Sequence, residues 1–466
     1  MISWQFLRGA VSRIREIFLL GGWPGLLHKI RYFLRRHHFM PPPFYCLSRG
    51  ASTAAAKASR NVTEASERSL PLRALVFSHN LNREGASISL FELMSALKTR
   101  GVLSPTLVSY QDGPVRGDYE AVGIPVVLLP PVLERLSTAR RLEVVVGEMT
   151  SLLQSYSAEL VFANTLLTFP AILAAAKAGV PSVWNPRESE NWGSYFEFLP
   201  DVVAQQAIAA IWLPYRTVFV AHATRRVWDA LDTQGNFAVV HNGVDIKRFP
   251  SSQDVAERGR RRSELGLEAE TITILCVGTV CERKGQADLL EALLSLPDAC
   301  SSKVQIVLLG DDSNSYAKNF KAKCKSLLGA DCRQIRFLPP TAAVADFYAA
   351  ADLFVLSSRS ESFPRVVLEA MVFGLPIIST PVFGVLEQVV EGENAFFYSP
   401  GDCRALSKHI ERLVSDEALR VRMGRSSQQR SLQMTTYDEM VGSYARICSE
   451  AVDRLRELSI TKGVER

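Results

Sequence analysis

Residues 352–380 read DLFVLSSRSESFPRVVLEAMVFGLPIIST and place a short apolar run, a polar loop, a helical pattern and a second apolar run in succession. Short apolar runs bounded by turn signals are typical of buried parallel strands, so we predict strands at 352–358 and 376–380. The pattern between them predicts a helix over 364–373. The segment is therefore a strand–helix–strand unit, and a chain built from such units folds as a doubly wound α/β sheet.

The same alternation extends on both sides of this segment and divides into two halves. In the second half, further strands are predicted at 271–278, 304–310 and 335–339, with helices at 286–296, 315–328 and 342–350. In the first half, strands are predicted at 74–79, 105–110, 125–130, 159–164 and 217–222, with helices at 87–100, 143–156 and 168–178. These patterns predict an α/β protein with two Rossmann-like, doubly wound parallel-sheet domains that face a cleft.

Changes in composition along the chain predict six segments. They are a basic amphipathic helical segment (1–47), a flexible linker (48–70), an N-terminal Rossmann-like domain (71–242), a hinge (243–268), a C-terminal Rossmann-like domain (269–430) and a C-terminal helix that crosses back to the first domain (431–466). Each sheet domain is long enough to bury a core of its own.

The overall composition is that of a folded protein, with 466 residues of which 47% are hydrophobic and 22% are charged. This balance excludes a disordered, collagen-like or disulfide-stabilised miniprotein. Eight cysteines without a CxxC pair argue against a disulfide framework or a structural zinc site and indicate a reducing compartment. The formal net charge of +5 is too small for a dedicated nucleic-acid-binding protein, so no nucleic-acid partner is expected.

The positive charge is concentrated at the N-terminus, where residues 1–40 contain seven Lys and Arg but a single acidic residue. Apolar residues recur there at steps of three and four, which predicts an amphipathic helix. The apolar stretch 17–27 is too short to span a bilayer. We expect the segment to bind either an anionic membrane surface or a partner domain, and the protein to be cytoplasmic or peripheral on the cytoplasmic face of the membrane.

Two glutamates, Glu361 and Glu369, are separated by seven residues within the strand–loop–helix unit. We expect Glu361 in the loop at the carboxyl end of the strand, and Glu369 two turns into the helix and facing the same cleft. A helix N-terminus adds backbone N–H donors that suit a phosphate group.

Two further loops follow predicted strands. The first, Gly278–Gly285 (GTVCERKG), contains Arg283 and Lys284, and an adjacent Arg and Lys can neutralise a diphosphate. The second, 80–87 (NLNREGAS), contains Gly85, which allows a phosphate or a sugar to approach the backbone closely. All three loops are predicted at the carboxyl ends of strands, where ligands bind in open α/β sheets.

From about Leu75 to Ser427, the chain resembles the retaining, nucleotide-sugar-dependent glycosyltransferases with the GT-B fold, a class that includes glycosyltransferase family 4 (glycosyl transferases group 1). The stretch from Glu361 through Glu387 carries the most specific part of the resemblance. Residues 277–293 (VGTVCERKGQADLLEAL) and 239–245 (VVHNGVD) agree with it.

The resemblance implies roles for individual residues. Glu361 would contact the transferred sugar and act with Lys284 and Arg283, which would hold the diphosphate. Glu369 would contact the ribose of the nucleotide. The full set of implied donor contacts is Gly85, Ala86, Gly278, Thr279, Ser362, Phe363 and Glu369. Candidate acceptor contacts in the N-terminal, acceptor-side domain are Asn164, Arg187 and Glu188.

Two positions depart from the family pattern. Thr279 stands where many members have an arginine, and Arg283 is expected to take over its task. Arg187 and Glu188 stand where many members have a histidine near the sugar, at the end of the strand within SVWNPRE (182–188). These departures leave the identity of the sugar open.

The resemblance implies a hexosyltransferase-type enzyme (EC 2.4) that transfers a sugar, with retention, to a glycan or lipid-linked acceptor in bacterial surface polysaccharide or lipopolysaccharide assembly. The donor would be a nucleotide-diphosphate sugar, and neither a metal ion nor another cofactor is expected. Two alternatives remain open, a sugar-nucleotide epimerase and a catalytically degenerate GT-B protein that acts as a partner or scaffold. Thr279 and Arg187 favour the degenerate protein, whereas the intact Glu361, Glu369 and Lys284 favour the active transferase.

Overall fold

The structure is a computed structural model that describes residues 71–245, 255–329 and 334–464. The expected N-terminal amphipathic segment (1–47), the whole of the expected linker (48–70) and part of the expected hinge (243–268) lie outside the described residues. The described helices include none with both the length and the apolar character of a membrane span.

The first sheet contains seven parallel strands in the order β3-β2-β1-β4-β5-β6-β7. The strands are β1 (Leu72–Ser78), β2 (Leu103–Ser109), β3 (Val126–Leu128), β4 (Leu160–Asn164), β5 (Ser182–Asn185), β6 (Arg216–Phe219) and β7 (Phe237–Val239). In the centre of the sheet, Val76 is paired with Leu107 on one side and with Phe162 on the other. The strand order therefore reverses between β1 and β4, which is where doubly wound sheets bind ligands.

The second sheet contains six parallel strands in the order β10-β9-β8-β11-β12-β13. The strands are β8 (Ile272–Val277), β9 (Val304–Leu309), β10 (Ile335–Leu338), β11 (Leu353–Leu356), β12 (Ile377–Ser379) and β13 (Ala395–Phe397). Its strand order reverses between β8 and β11. The loops that follow these two strands contain Lys284 and Glu361, so the topology brings the two predicted motifs to one edge.

Helices cover both faces of each sheet. They are α1 (Gly85–Thr99), α2 (Arg116–Ala121), α3 (Ala139–Ser155), α4 (Phe169–Ala178), α5 (Trp192–Tyr195), α6 (Asp201–Ala209), α7 (His222–Trp228), α8 (Val255–Glu264), α9 (Ala287–Leu294), α10 (Asp298–Ser301), α11 (Ser315–Leu328), α12 (Val344–Ala350), α13 (Arg365–Val372), α14 (Val385–Gln388), α15 (Cys403–Ser415), α16 (Glu417–Ser431) and α17 (Tyr437–Val464).

Each sheet lies between two apolar clusters, because its strands are apolar on both faces. In the first sheet, Phe77 packs with helices α3, α4 and α6 on one face, and Val76 packs with α1 and α17 on the other. In the second sheet, Ile306 and Phe354 belong to the clusters on opposite faces. Each fully buried side chain of this size contributes about 1.5–3 kcal/mol to folding.

The C-terminal helix α17 packs on the first sheet. Its Tyr444 and Cys448 are buried, and the Tyr444 ring lies 5.9 Å from the ring of Phe162 in β4. The chain thus returns to the first domain after completing the second.

The prediction of two doubly wound parallel-sheet domains is confirmed. Two strands, β7 and β13, were missing from the expectation. Both are three-residue strands at the edge of their sheets. Such short segments carry little periodic signal, and they are defined by pairing with the neighbouring strand rather than by their own sequence.

Candidate functional site at the carboxyl ends of the two sheets

Glu361 lies in the loop between β11 and α13, and its carboxylate is held by three groups. Lys284 Nζ lies 2.6 Å from Oε1, Ser358 Oγ donates to the same oxygen at 2.6 Å, and Arg283 Nη1 is 3.8 Å away. Burial by itself raises the pKa of Glu361, but the charges of Lys284 and Arg283 and the hydrogen bonds outweigh it and lower the pKa. Glu361 is therefore a mostly buried carboxylate that is ionised at neutral pH.

Backbone contacts between the two loops bring the basic pair to Glu361. Ser357 Oγ donates to the carbonyl oxygen of Lys284 at 2.8 Å, and the Arg359 N–H donates to that of Arg283 at 2.7 Å. Gly285 has φ +65°, and a Cβ there would lie 2.1 Å from the carbonyl oxygen of Ser357. Only glycine fits at this position, because any side chain would separate the loops.

Gly278 and Thr279 lie beside the basic pair. Gly278 has φ +143°, and a Cβ there would meet the Lys284 side chain at 3.4 Å. The carbonyl oxygen of Thr279 accepts a hydrogen bond from Gln286 Nε2 at 2.9 Å. Gln286 is buried and fixes this loop, a supporting role that the sequence pattern did not reveal.

Glu369 lies on α13, one turn after Arg365. Its side chain is buried, Tyr348 Oη donates to Oε2 at 2.9 Å, and Arg365 Nη2 lies 3.7 Å from Oε1. The expected contact between Glu369 and a ribose stays a prediction, and the geometry requires that such a ligand share the carboxylate with Tyr348.

The loop that contains Gly85 and Ala86 starts helix α1. A Cβ at Gly85 would meet no atom within 4 Å, and the carbonyl oxygen of Ala86 accepts a hydrogen bond from Asn164 Nδ2 at 3.3 Å. A hydrogen bond with His79 is the largest cause of the lowered pKa of Glu84, and the charge of Arg283 also lowers it. Because Arg283 belongs to the second domain, the two loops lie near each other across the domain boundary.

The three candidate acceptor residues lie close together. Arg187 Nε donates to Asn164 Oδ1 at 3.3 Å. Glu188 accepts hydrogen bonds from the backbone N–H groups of Leu166 and Arg187 and from Tyr195 Oη. Burial raises the pKa of Glu188. Its oxygens are occupied by its own domain, so the geometry indicates that Glu188 orders the loop.

The Glu361 loop also contacts the first domain directly. Ser362 Oγ donates to the carbonyl oxygen of Arg187, Ser360 and Ser189 are joined by a hydroxyl–hydroxyl bond of 2.8 Å, and Asn242 Nδ2 donates to the carbonyl oxygen of Phe363 at 2.9 Å. The position of Glu361 is therefore tied to the relative position of the two domains.

Thr165, which with Asn164 was a candidate acceptor contact, follows β4 with φ +75°, a strained conformation for a residue other than glycine. Two other residues of this arrangement were not predicted from the sequence. Asn242 lies in the VVHNGVD segment, which the sequence analysis used only as a sign of family resemblance. Arg365 forms an ion pair of 2.8 Å with Glu92 on α1, across the domain boundary.

Among the described residues, one cluster of side chains could hold a metal ion. His222, His241 and Glu387 offer ligand atoms that all lie within 4.8 Å of one another. Glu387 also accepts hydrogen bonds from His241 Nε2 at 2.9 Å and from the backbone N–H groups of His222 and Ala223. Glu387 belongs to the second domain and its partners to the first, so the cluster joins the two domains.

Comparison with known families agrees with both halves of the fold. A model described as "Glycosyl transferase 4-like domain" matches residues 84–227, and one described as "Glycosyl transferases group 1" matches residues 257–430. The chain resembles these glycosyltransferases in both of its domains, and its fold is GT-B. The second match includes Lys284, Glu361 and Glu369, which are residues that carry the resemblance in the sequence.

Curated relatives of this GT-B chain match over part of their length. This chain is 32% identical over 202 residues to a D-inositol 3-phosphate glycosyltransferase of Streptomyces avermitilis, and the match covers 42% of each chain. It is 30% identical over 185 residues to a lipopolysaccharide core biosynthesis glycosyltransferase of Rhizobium meliloti, covering 40% of this chain and 49% of that protein. The chain thus spans about half the length of the curated relatives it matches.

Solved GT-B structures resemble the chain over nearly their whole length. Anabaena HepE in complex with UDP and glucose has a TM-score of 0.69 and 20% identity, covering 81% of this chain and all of that one. WaaG, a glycosyltransferase involved in lipopolysaccharide biosynthesis, has a TM-score of 0.63 and 16% identity, covering 80% of this chain and 99% of that one. At these identities, the similarity establishes the fold.

Proposed function

We propose that the chain is a glycosyltransferase that moves a sugar from a nucleotide-diphosphate sugar to a hydroxyl group of a glycan or lipid-linked acceptor, with retention and without a metal ion. The convergence of Lys284 and Arg283 on the loop of Glu361 carries this proposal. Two cations at the switch point of a parallel sheet suit a diphosphate, the leaving group of such a donor.

In the proposed reaction, the bond between the anomeric carbon and the phosphate oxygen breaks, and the acceptor oxygen forms a new bond to the same carbon. Negative charge develops on the departing diphosphate, where Lys284 and Arg283 stabilise it. The acceptor hydroxyl approaches from the side of the leaving group and passes its proton to the departing phosphate oxygen. This geometry retains the configuration at the anomeric carbon.

Glu361 has two tasks in this proposal. Without a donor, Glu361 neutralises Lys284 and holds the lysine side chain at the end of β8. With a donor bound, its carboxylate accepts hydrogen bonds from hydroxyl groups of the transferred sugar. Because Ser362 and Ser360 bind the first domain, the sugar site is completed only when the domains meet.

The substrates are proposed from the comparisons. Complexes of HepE hold UDP and UDP-glucose, which supports a uridine-diphosphate donor for this chain. The relatives named for D-inositol 3-phosphate transfer and for lipopolysaccharide core biosynthesis support a polar or lipid-linked acceptor in surface glycan assembly. We propose a cytoplasmic protein whose basic segment 1–40 attaches it to an anionic membrane surface or to a partner domain.

A thermal-shift titration with UDP-, GDP-, ADP- and CMP-sugars tests the donor without knowledge of the acceptor, because a ligand of the folded state raises the melting temperature. We expect one nucleotide sugar to stabilise the wild type and to have little effect on Lys284→Ala and Glu369→Ala. Lys323→Ala is the control, because Lys323 forms an exposed ion pair outside the site.

The same titration distinguishes the alternatives. A wild type that responds to none of the four nucleotide sugars would contradict the proposal and favour the scaffold. A donor that binds and is consumed without any acceptor would favour the epimerase.

A further inference from the structure

Arg187 is a charged residue for which the described part of the chain provides no oppositely charged partner. It follows β5 at its carboxyl end, and its side chain is only partly exposed. Nε donates to Asn164 Oδ1 at 3.3 Å, and Nη1 donates to Asn242 Oδ1 at 2.7 Å. Both acceptors are neutral amides. Among the described residues, no carboxylate oxygen lies within ion-pair distance of this guanidinium.

Other arginines near the site are paired. Arg365 contacts Glu92 at 2.8 Å and Glu369 at 3.7 Å. Arg359 forms two hydrogen bonds with Asp288, of 2.5 and 2.6 Å. Pairing is the rule for buried guanidinium groups because an uncompensated charge is costly to remove from water.

Burial is the largest cause of the lowered pKa of Arg187, and the charge of Arg365 lowers it further. Electrostatic interactions with Tyr444, Glu188 and Glu92 oppose this effect but do not outweigh it. The guanidinium is therefore a cation in an unfavourable environment. A neutral side chain of similar length could donate the same hydrogen bonds to the two amide oxygens, so these bonds do not by themselves require a positive charge.

The location of Arg187 places this cation between the elements that would hold the two substrates. Its carbonyl oxygen accepts a hydrogen bond from Ser362, the residue after Glu361. Its partner Asn164 reaches the carbonyl oxygen of Ala86 in the first turn of α1. The guanidinium Nη2 makes no hydrogen bond to any residue in the described part of the chain and is not sealed from solvent.

We infer that Arg187 binds an anionic group of a substrate, a carboxylate or a phosphate that is separate from the diphosphate of the donor. The inference rests on the proposed function and specifies its substrate class. A guanidinium presents a planar set of donors that fits either anion. The donor diphosphate is assigned to Lys284 and Arg283 in the second domain, so the additional anion belongs either to the transferred sugar, as in a uronic acid, or to the acceptor.

The experiment compares charged and neutral probes on the wild type, Arg187→Gln and Arg187→Lys. The donor arm measures the affinities of UDP, UDP-glucose and UDP-glucuronate. The acceptor arm adds inorganic phosphate to protein saturated with UDP. Arg83→Gln is the matched control, because Arg83 lies in the loop before α1 but is paired with Asp118 at 2.8 Å and is half exposed.

We expect Arg187 to increase the affinity of the protein for one anionic probe by about tenfold or more, as is usual for a charge-assisted hydrogen bond. UDP-glucuronate binding more tightly than UDP-glucose assigns the anion to the sugar, and a phosphate response in the presence of UDP assigns it to the acceptor. Arg187→Gln removes the gain, Arg187→Lys keeps part of it, and Arg83→Gln keeps all of it.

Three results would overturn the inference. The first is that Arg187→Gln weakens the binding of UDP itself, which would make Arg187 a diphosphate ligand. The second is that Arg187→Gln changes the affinities of charged and neutral probes equally, which would indicate a structural role. The third is that the wild type binds neither anionic probe with the expected gain in affinity. If UDP does not bind, the proposal of a UDP donor is wrong. Inorganic phosphate is then titrated alone. Equal phosphate affinities of the wild type and Arg187→Gln would still overturn the role of Arg187.

Discussion

Replacing Lys284 by alanine tests whether the pair formed by Lys284 and Glu361 is a buried ion pair. The exposed fractions of the two side chains are 17% and 11%, and their charged atoms lie 2.6 Å apart. Lys284→Ala removes the cation and leaves the carboxylate buried. The energetic cost is therefore the desolvation of an unpaired charge, which exceeds the value of the hydrogen bond itself.

The magnitude follows from the remaining partners. Breaking a buried pair by removing one member costs about 3–5 kcal/mol. Ser358 still donates to Glu361, and Arg283 remains 3.8 Å away with half of its side chain exposed. We expect these groups to reduce the loss to about 2–3 kcal/mol of unfolding free energy at neutral pH, or about 4–12 °C in melting temperature.

The effect depends on pH with a definite sign. In the wild type, the pKa of Glu361 is lowered, so its contribution to stability is present above the unfolded pKa and is lost as the pH falls through the folded pKa. In Lys284→Ala, the charge and the hydrogen bond of Lys284 are lost, and we expect burial to raise the pKa of Glu361 above its unfolded value. The variant is then most destabilised at neutral and higher pH, and its deficit shrinks as the pH falls towards 5.

Urea unfolding from about pH 5 to about pH 8 measures this deficit. Lys323→Ala is the control, because Lys323 and Glu291 are also separated by 2.6 Å but are about half exposed. An exposed pair is worth at most about 1 kcal/mol. If Lys284→Ala costs no more than Lys323→Ala, or if its deficit does not change with pH, the description of a buried ion pair is wrong.

Three further outcomes are expected. Gly285→Ala, with φ +65° and a Cβ clash of 2.1 Å, should lower the unfolding free energy by more than about 1 kcal/mol and abolish donor binding. Its control is Gly179→Ala, which has φ +68° but open space around the Cβ and should lower the free energy of urea unfolding by only about 1 kcal/mol. In a double-mutant cycle, Arg365→Met and Glu92→Gln should couple by about 1 kcal/mol or more, since the pair is 2.8 Å long and mostly buried; additive effects would exclude a direct pair. Glu387→Gln should destabilise the protein at neutral pH and less in acid, because hydrogen bonds outweigh burial and lower the pKa of Glu387; a pH-independent effect in unfolding experiments would contradict this.

The local patterns were sufficient for most of the fold because the strands of parallel sheets are continuous apolar runs. The helix predicted at 315–328 has the observed bounds. The helix predicted at 168–178 begins one residue later in the structure, and the helix predicted at 364–373 is one residue shorter at each end. Strands β7 and β13 were missed because three residues at a sheet edge have no periodicity of their own.

The carboxylate and basic motifs could be located for a related reason. Both follow buried strands, and the carboxyl ends of parallel strands meet at one edge, so sequence order and topology bring Lys284 and Glu361 together. The sequence by itself determined two doubly wound sheets and the loops that contain Glu361, Lys284 and Gly85.

Only the tertiary structure decided what each of these side chains contacts. Arg187 and Glu188 are adjacent in sequence, yet Glu188 binds backbone N–H groups of its own domain while Arg187 lies between the domains on two neutral amides. Arg365 finds its partner Glu92 273 positions earlier in the chain. Periodicity reports which face of an element is buried, whereas the partner of a charge depends on how distant elements pack, and no local pattern contains that information.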